Sequence, residues 1–557
     1  TINHFGRKST RVILTDTCVL LVFTTGLSVV YDSGNMFLKR TKVRSGKNIY
    51  TYLQLVESVW KDGRPTHKVV ANLGREDQLD PAQVDRLLAS LAPYGTGEVQ
   101  RPESLAIHDA REYGTIHVLN HLWREVGCDD LVRSLAKDRS FAFDVEAAWR
   151  ALVFARICAP GSERSVMQWL PGVYAPEFEG LQLHHLYRTL DFAADVKDEF
   201  ERQWLMQLTK KLCPDLRLVL FDTTSVYFEG AGPEGLAAYG YSRDKRSDLP
   251  QIVLGLFTTE EGYPLTHMVF PGNAVDLAVF REAMADLRKK LPISEIVMVM
   301  DRGMVSEANL RMLDELGIPY IVGARLRHLA TREALKTAGR YRVVAENLRV
   351  KDVRHEGTRY IICYNPQEAE RDQAERATMV AYLEEQLRRG VKAFMKNAAA
   401  KRYLKVQGEQ VSLDRARIEE DARYDGKWVL QTSTNLDAAQ VALAYKGLWQ
   451  VERAFRTLKN PLEIRPVYHW TPRRVLAHVA LCVHAYFFER LVENRIAQAN
   501  LDVEPGVVWE ELRRIRATHI EFGSKRRMQC TVLTDTQRRL LQALEVPEPE
   551  QTLRSTA

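Results

Sequence analysis

At 557 residues the chain is too long for one ordinary core, and two to four domains are expected. A hydrophobic fraction of 45% with 27% charged residues excludes a disordered chain. The 78 basic and 72 acidic residues leave a net charge of +6, a mild excess that permits nucleic-acid binding without arguing for it.

The seven cysteines (Cys18, Cys128, Cys158, Cys213, Cys363, Cys482 and Cys530) never stand two to four residues apart, which excludes zinc-site spacing. They read as reduced core thiols of a cytosolic protein. His184 and His185 are adjacent and point in different directions, which fits a structural role better than a ligand pair.

In chain order, Arg7, Lys8 and Arg11 precede an apolar stretch, Val12 to Val30, with the outline of a signal peptide or short membrane segment. Asp16 interrupts it and no small-residue cleavage site follows. Residues 1–35 therefore read as a leader upstream of patterned sequence that starts at Met36. Apart from it no run of about 20 apolar residues stands out, and no membrane span is expected.

Residues 36–105 alternate in the manner of strands, with Lys61-Asp62-Gly63-Arg64 as a hairpin turn. Lys39, Arg40, Lys42, Arg44 and Lys47 give this small β-rich module a basic edge. Phosphate contact and a charge-guarded strand edge both fit. Residues 106–213 change to helical spacing, as in Leu119, Leu122, Trp123 and Val126, and form an all-helical module suited to binding a DNA end.

From residue 214 to 330 the text becomes strand, hairpin, helix, strand, helix, strand: a mixed α/β sheet with helices on its faces. Leu216–Phe221 runs into Asp222, and Ile296–Met300 runs into Asp301. Ile252–Phe257 and Leu265–Phe270 flank a turn at Glu260–Tyr263. An Asp after an apolar strand lies at the sheet rim where ligands bind. Two such carboxylates on neighbouring strands repel each other unless a divalent cation lies between them.

Residues 331–425 are too many for a loop and read as an α+β insertion. It carries a hairpin from Tyr341–Val344 to Arg359–Cys363, a charged helix from Asn365 to Gly390, and the basic residues Lys392, Lys396, Lys401, Arg402 and Lys405. Residues 426–500 supply a last strand, Trp428–Gln431. Thr434-x-x-Asp437 then resembles a capping box that starts a helix over Ala438–Lys459, which Asn460-Pro461 stops. On it Tyr445, Leu448, Glu452, Phe455 and Lys459 recur at intervals of three and four and share one largely apolar face. Glu452 is out of place there, although pairing with Arg456 one turn on is the alternative. The apolar helix Val475–Leu491 packs on the core or pairs subunits, and residues 501–557 form a tail containing Lys525-Arg526-Arg527.

The run Tyr445-Lys-Gly-Leu-Trp-Gln-Val-Glu452-Arg-Ala-Phe-Arg-Thr-Leu-Lys459 resembles the third catalytic block of bacterial insertion-sequence DDE transposases. The nearest group is the "insertion sequence four" superfamily, with its Tyr-x2-Arg-x3-Glu-x6-Lys helix. Phe221-Asp-Thr-Thr224 resembles the first block, Met300-Asp-Arg-Gly303 the second, and Pro271-Gly-Asn-x-x-Asp276 the stretch between them. The resemblance implies an RNase H-like fold. It also implies two Mg²⁺ ions, with Mn²⁺ as substitute, about 4 Å apart on Asp222, Asp301 and Glu452. The activity implied is cleavage at transposon ends followed by attack of the freed 3′-hydroxyl on target DNA, by a homodimer on DNA at the bacterial nucleoid. Tyr445 and Lys459 would contact phosphate. Leu448 stands where the signature has Arg, and Arg453 or Arg456 would replace it. An RNase H-like nuclease that does not join strands, and a DNA-binding regulator with a decayed core, are the competing readings.

Overall fold

The computed structural model describes residues 14–15, 18–19, 36–45, 48–61, 64–91, 94, 105–291, 296–389, 402–407, 410–522, 525–550 and 552–553. The expectations placed on the leader's side chains, Lys47, Asp62, Gly63, Lys392, Lys396 and Lys401 lie outside the described residues. Two compact units are present, residues 1–108 with 519–527, and residues 109–518 with 528–557.

In the first unit β1 (Met36–Ser45), β2 (Asn48–Lys61) and β3 (Arg64–Arg75) form an antiparallel meander with β2 in the centre. Register shifts beside Gln54 and Val56 mark bulges that twist β3 along β2. Helix α1 (Pro81–Leu91) follows.

The second unit begins with helices α2 (Gly114–Glu125), α3 (Cys128–Ala136), α4 (Val145–Cys158), α5 (Glu163–Trp169) and α6 (Leu183–Lys211). Asp144 caps α4 by accepting from Ala147 N at 3.0 Å. Every residue of α4 is buried, so it is a core helix and not the face of a separate module.

Next come β4 (Leu218–Tyr227), β5 (Gln251–Thr259), β6 (Pro264–Pro271), α7 (Asp276–Lys290), β7 (Val297–Met300), α8 (Glu307–Glu315) and β8 (Tyr320–Ala324). β4, β5 and β6 are an antiparallel meander, whereas β7 runs parallel to β4 and β8 parallel to β7. β5 is buried at every position, which requires cover on both faces.

The segment expected as an insertion does not stand apart from this sheet. After α9 (Leu329–Lys336), the strands β9 (Arg342–Ala345), β10 (Leu348–His355) and β11 (Thr358–Tyr364) form an antiparallel meander. Helix α10 (Pro366–Arg389), the small hairpin β12 (Leu404–Gln407) and β13 (Gln410–Leu413), and α11 (Arg415–Ala422) lead to β14 (Lys427–Thr432). β14 pairs antiparallel with both β8 and β11, so one nine-stranded mixed sheet runs β9-β10-β11-β14-β8-β7-β4-β5-β6.

Two helices, α12 (Ala438–Lys446) and α13 (Trp449–Lys459), replace the single one expected over Ala438–Lys459. At Gly447 and Leu448 the dihedrals stay right-handed, but the hydrogen bonds tighten to Leu448 N→Tyr445 O and Gln450 N→Gly447 O. The capping box also differs. Asp437 is the N-cap and pairs reciprocally with Gln440, whereas Thr434 is buried and bonded to Thr432 at 3.0 Å.

Helix α14 (Pro472–Gln498) is long and apolar enough to cross a membrane by length and composition. The sequence reading had it as the apolar helix Val475–Leu491, and His478, His484, Glu489 and Arg490 interrupt its apolar run. Its most apolar window is 89% buried against α4, α6 and β6, so the helix serves the core. One hydrophobic core extends from Ile116 in α2 through the sheet to Val546. Of the cysteines among the described residues, six are free thiols and five of those are buried.

Between α6, β6 and α7 lies a buried charge cluster. Glu201 accepts from Lys197 at 2.9 Å, Lys290 at 2.6 Å and Thr266 at 3.0 Å, and His267 Nδ1 lies 2.8 Å away. Burial pulls its carboxyl up, but Lys197, His267 and Lys290, with their hydrogen bonds, win and hold it well below the ordinary range.

Candidate active site

Strand pleating aims the two aspartates. Phe221 pairs across the sheet with Phe257, ring centroids 4.4 Å apart, and meets Phe280 of α7 at 5.5 Å. Its neighbour Asp222 therefore emerges on the opposite face from α7. Met300 stands beside Phe221 in the parallel register of β7 and β4. Asp222 and Asp301, the next residue on each strand, thus lie side by side.

One part of the expectation fails. Asp222 does not end its strand, because β4 runs on to Tyr227, paired with β5 as far as Gln251. The β-branched residues Thr223, Thr224 and Val226 favour continued pairing. Asp301 does end its strand, and its carbonyl accepts from Met304 N at 3.1 Å in a short 3-10 turn.

Both carboxylates are half-buried. Asp222 Oδ1 accepts from the backbone N of Thr223 at 2.7 Å and lies 3.6 Å from Arg243 Nη1. Asp301 Oδ1 accepts from the Tyr445 hydroxyl at 3.0 Å. Burial raises the pKa of that hydroxyl, and the charge of Asp301, then that of Asp222, raises it further. Tyr445 consequently stays a protonated donor facing two carboxylates. Its approach depends on Gly323 of β8, since a Cβ there would sit 2.4 Å from the Tyr445 oxygen. We expect Gly323→Ala to cost about 1–3 kcal/mol through this overpacking. In urea denaturation the cost should shrink when Tyr445→Phe removes the clashing oxygen. An unchanged cost would mean that the clash is elsewhere.

Glu452 lies in the first turn of α13, about two helical turns beyond Tyr445. It is exposed, contrary to the apolar face expected for it, because the apolar stripe that α13 buries is Val451, Ala454, Phe455 and Leu458. Helix α13 packs on β4 and β5, the strands beside Asp222. Among the described residues the Glu452 side chain makes no hydrogen bond or ion pair, so the pairing with Arg456 that would have explained it away is not formed. Arg456 is exposed.

The other expected cations have partners. Arg453 pairs with Glu493 of α14 at 2.9 Å and lies over Trp449. Lys459, with only 10% of its side chain exposed, donates to Asp244 at 2.9 Å. Burial lowers its ionisation, while Asp244 pulls the other way. The second oxygen of Asp244 takes Arg465 at 3.1 Å.

Arg243 and Asp244 escaped the sequence reading. They sit in the connection from β4 to β5, in the run Tyr241-Ser-Arg-Asp-Lys-Arg246, whose charge density was the available signal. Arg402 likewise pairs inward, with Asp421. The side chain of Asp276 lies outside the described residues.

A second cluster lies elsewhere. Glu163, His469 and His478 bring ligand atoms within 4.8 Å of one another. Arg156 stands 3.2 Å from His478 and 3.9 Å from Glu163, so a guanidinium already supplies the positive charge there.

Residues 214–488 match the family model described as Transposase DDE domain, and residues 38–101 match IS1634 family transposase, N-terminal domain. No curated protein matches. Among solved structures, the Mos1 transposase paired-end complex with left transposon end is 15% identical, with 46% of this chain and 70% of that chain covered at a TM-score of 0.15. A pre-cleavage Mos1 transpososome is also 15% identical, with 46% and 71% covered and the same TM-score of 0.15. At that score neither likeness bears on the site.

Proposed function

Because the chain belongs to the DDE transposases of bacterial insertion sequences, we propose that Asp222, Asp301 and Glu452 are the three carboxylates of its DNA-cutting centre. It is a DNA transposase, a metal-dependent enzyme that binds transposon ends, cleaves them and transfers the strand. The observation that carries the site is the parallel register of β4 and β7, which sets Asp222 beside Asp301. Three antiparallel strands followed by two parallel ones, in the order β6-β5-β4-β7-β8, support an RNase H-like reading of the core.

The donor set fits two Mg²⁺ ions, with Mn²⁺ as substitute. Asp222 and Asp301 are neighbouring hard oxygen donors, and Glu452 is an unengaged carboxylate on the adjoining helix. When bound, such ions lower the pKa of a nucleophilic water and neutralise charge on the phosphate. The chain's own groups orient this site. The Thr223 backbone N fixes one oxygen of Asp222, and Tyr445 fixes one of Asp301 while remaining protonated. The protein works as a homodimer holding two transposon ends, in the cytoplasm at the nucleoid.

Cleavage of a labelled duplex carrying the flanking inverted repeat tests the reading. Nicking at the repeat boundary is expected with Mg²⁺ or Mn²⁺ and should vanish with EDTA. Subsequent joining of the 3′ end to a target plasmid separates a transposase from a nuclease. Binding without any cut, in every metal tried, would overturn the assignment of these carboxylates.

A further inference from the structure

Between α13 and α14 the chain turns two large aromatic rings into solvent, Tyr468 at 59% and Trp470 at 66% exposure. Paired rings left uncovered in this way mark a contact surface. We propose that Tyr468 and Trp470 form a stacking platform for an unpaired base of the transposon end as it is cut. The inference rests on the reading of Asp222, Asp301 and Glu452 as the cutting centre.

The rings stand on a fixed base. Burial alternates along their segment with the period of a strand: Val467 is 0% exposed and the His469 side chain 10%, while Tyr468 and Trp470 face out. Val467 pairs in parallel with Phe228, its N donating to Tyr227 O and its O accepting from Glu229 N, both at 3.0 Å. His469 lies 3.4 Å from Glu163, in the buried group with Arg156 and His478. His478 Nε2 in turn donates to Ile464 O at 3.0 Å, and Thr471 caps α14. The Trp470 ring rests over Gly230, where a Cβ would stand 3.2 Å from its edge. A platform already fixed in place loses little freedom when a ligand arrives.

Residues two apart on an extended segment stand about 7 Å from each other, twice the rise of about 3.4 Å between stacked bases. One flat base therefore fits between the two rings, and every base has the π-face they accept. The surroundings favour DNA over a second protein surface. Arg246 and Arg465 lie over the Tyr227 ring at 5.3 and 5.5 Å, and Arg473 keeps 50% of its side chain in solvent. Each of these three is steadied by an aspartate, whereas Arg164, next to Glu163, is exposed with no ion pair among the described residues. Such a fringe of cations suits a phosphate backbone. Position points the same way. Phe228, the partner of Val467, is six residues beyond Asp222, a distance of about 20 Å or roughly six base steps from the cut. The transposon end is the DNA that occupies the site at cleavage, so it supplies the base.

The test measures the Kd of the full chain for the inverted-repeat duplex, with Ca²⁺ in place of Mg²⁺ so that the DNA stays uncut. Abasic sites are placed one at a time along both strands near the repeat boundary. Trp470→Ala should weaken binding roughly tenfold and Tyr468→Ala several-fold, with Trp470→Phe restoring most of the loss. One abasic position should cost the wild type a similar factor and cost Trp470→Ala almost nothing more, because ring and base make a single contact. Wild-type affinity in both alanine variants, or additive losses at every position, overturns the proposal. A dimer lost in sedimentation with DNA affinity unchanged overturns it too, and assigns the rings to a second copy of the chain. Both side chains are exposed, so the variants should fold, which thermal melting checks. If Trp470→Ala does not fold, the same cycle with Tyr468→Ala decides. A wild type that binds the repeat but never cuts it with Mg²⁺ overturns the carboxylate assignment alone, a separate and distinguishable result.

Discussion

Asp301→Asn is expected to slow metal-dependent cleavage by on the order of 10³-fold while leaving the metal-free protein as stable as before, or slightly more stable. The two halves of this result have one cause. Asp222 and Asp301 stand side by side on parallel strands, both half-buried, with Arg243 3.6 Å from Asp222. Without a divalent ion that pairing is repulsive, so neutralising one member relieves strain. The amide oxygen of Asn can still accept from Tyr445, which spares the hydrogen bond now made at 3.0 Å. With Mg²⁺ the balance reverses. A carboxylate ligand is lost, and with it several kcal/mol of transition-state charge stabilisation, roughly three decades in rate. Melting curves with and without Mg²⁺ carry the same signature, since only the wild type should gain stability from the ion. A variant that cuts at the normal rate removes Asp301 from the site. A fall of several degrees without metal would mean that Asp301 chiefly anchors Tyr445.

The placement of those aspartates was legible because their signal is local. Leu216–Phe221 and Ile296–Met300 are apolar runs that only a strand in a covered sheet accommodates, and each leads into a charge. Where β4 ends was not legible, since Thr223 to Tyr227 pair with β5 and pairing is a tertiary fact. The same limit hid the destination of β9, β10 and β11. Their alternation announced strands, but not that β14 would join them to the main sheet. Glu452 was singled out through its spacing from Tyr445, although its exposure was misjudged because the stripe that α13 buries is Val451, Ala454, Phe455 and Leu458. Arg243 gave no periodic signal. It lies in a connection, and only the fold brings that connection back onto Thr223 and Ser225. Glu201 was equally silent, an acidic residue among Glu199 and Arg202 on a helix, with nothing local to mark it as buried.

That burial makes Glu201→Ala the substitution with the largest expected effect on stability, about 3–5 kcal/mol in urea denaturation. The carboxylate is 3% exposed and compensates Lys197 and Lys290, whose side chains are 12% and 4% exposed. Burial pulls Lys290 down, but Glu201 and Asp286 override it and hold the ammonium above its ordinary range. Removing Glu201 leaves two buried ammonium groups with the neighbouring Asp286 and Asp198 as their remaining carboxylate partners, and Asp198 is 81% exposed. The direction with pH follows from the depressed carboxyl. Its stabilisation is complete above the unfolded pKa, near 4.3 for a glutamate, and is lost as pH falls through the lower folded value. The wild type should therefore lose stability steeply below about pH 4, and Glu201→Ala less steeply. A single-variant cost under about 1 kcal/mol, the range of an exposed pair, would show that water reaches the cluster. In that case α6 would be held to β6 and α7 by apolar packing, with the ion pairs adding little.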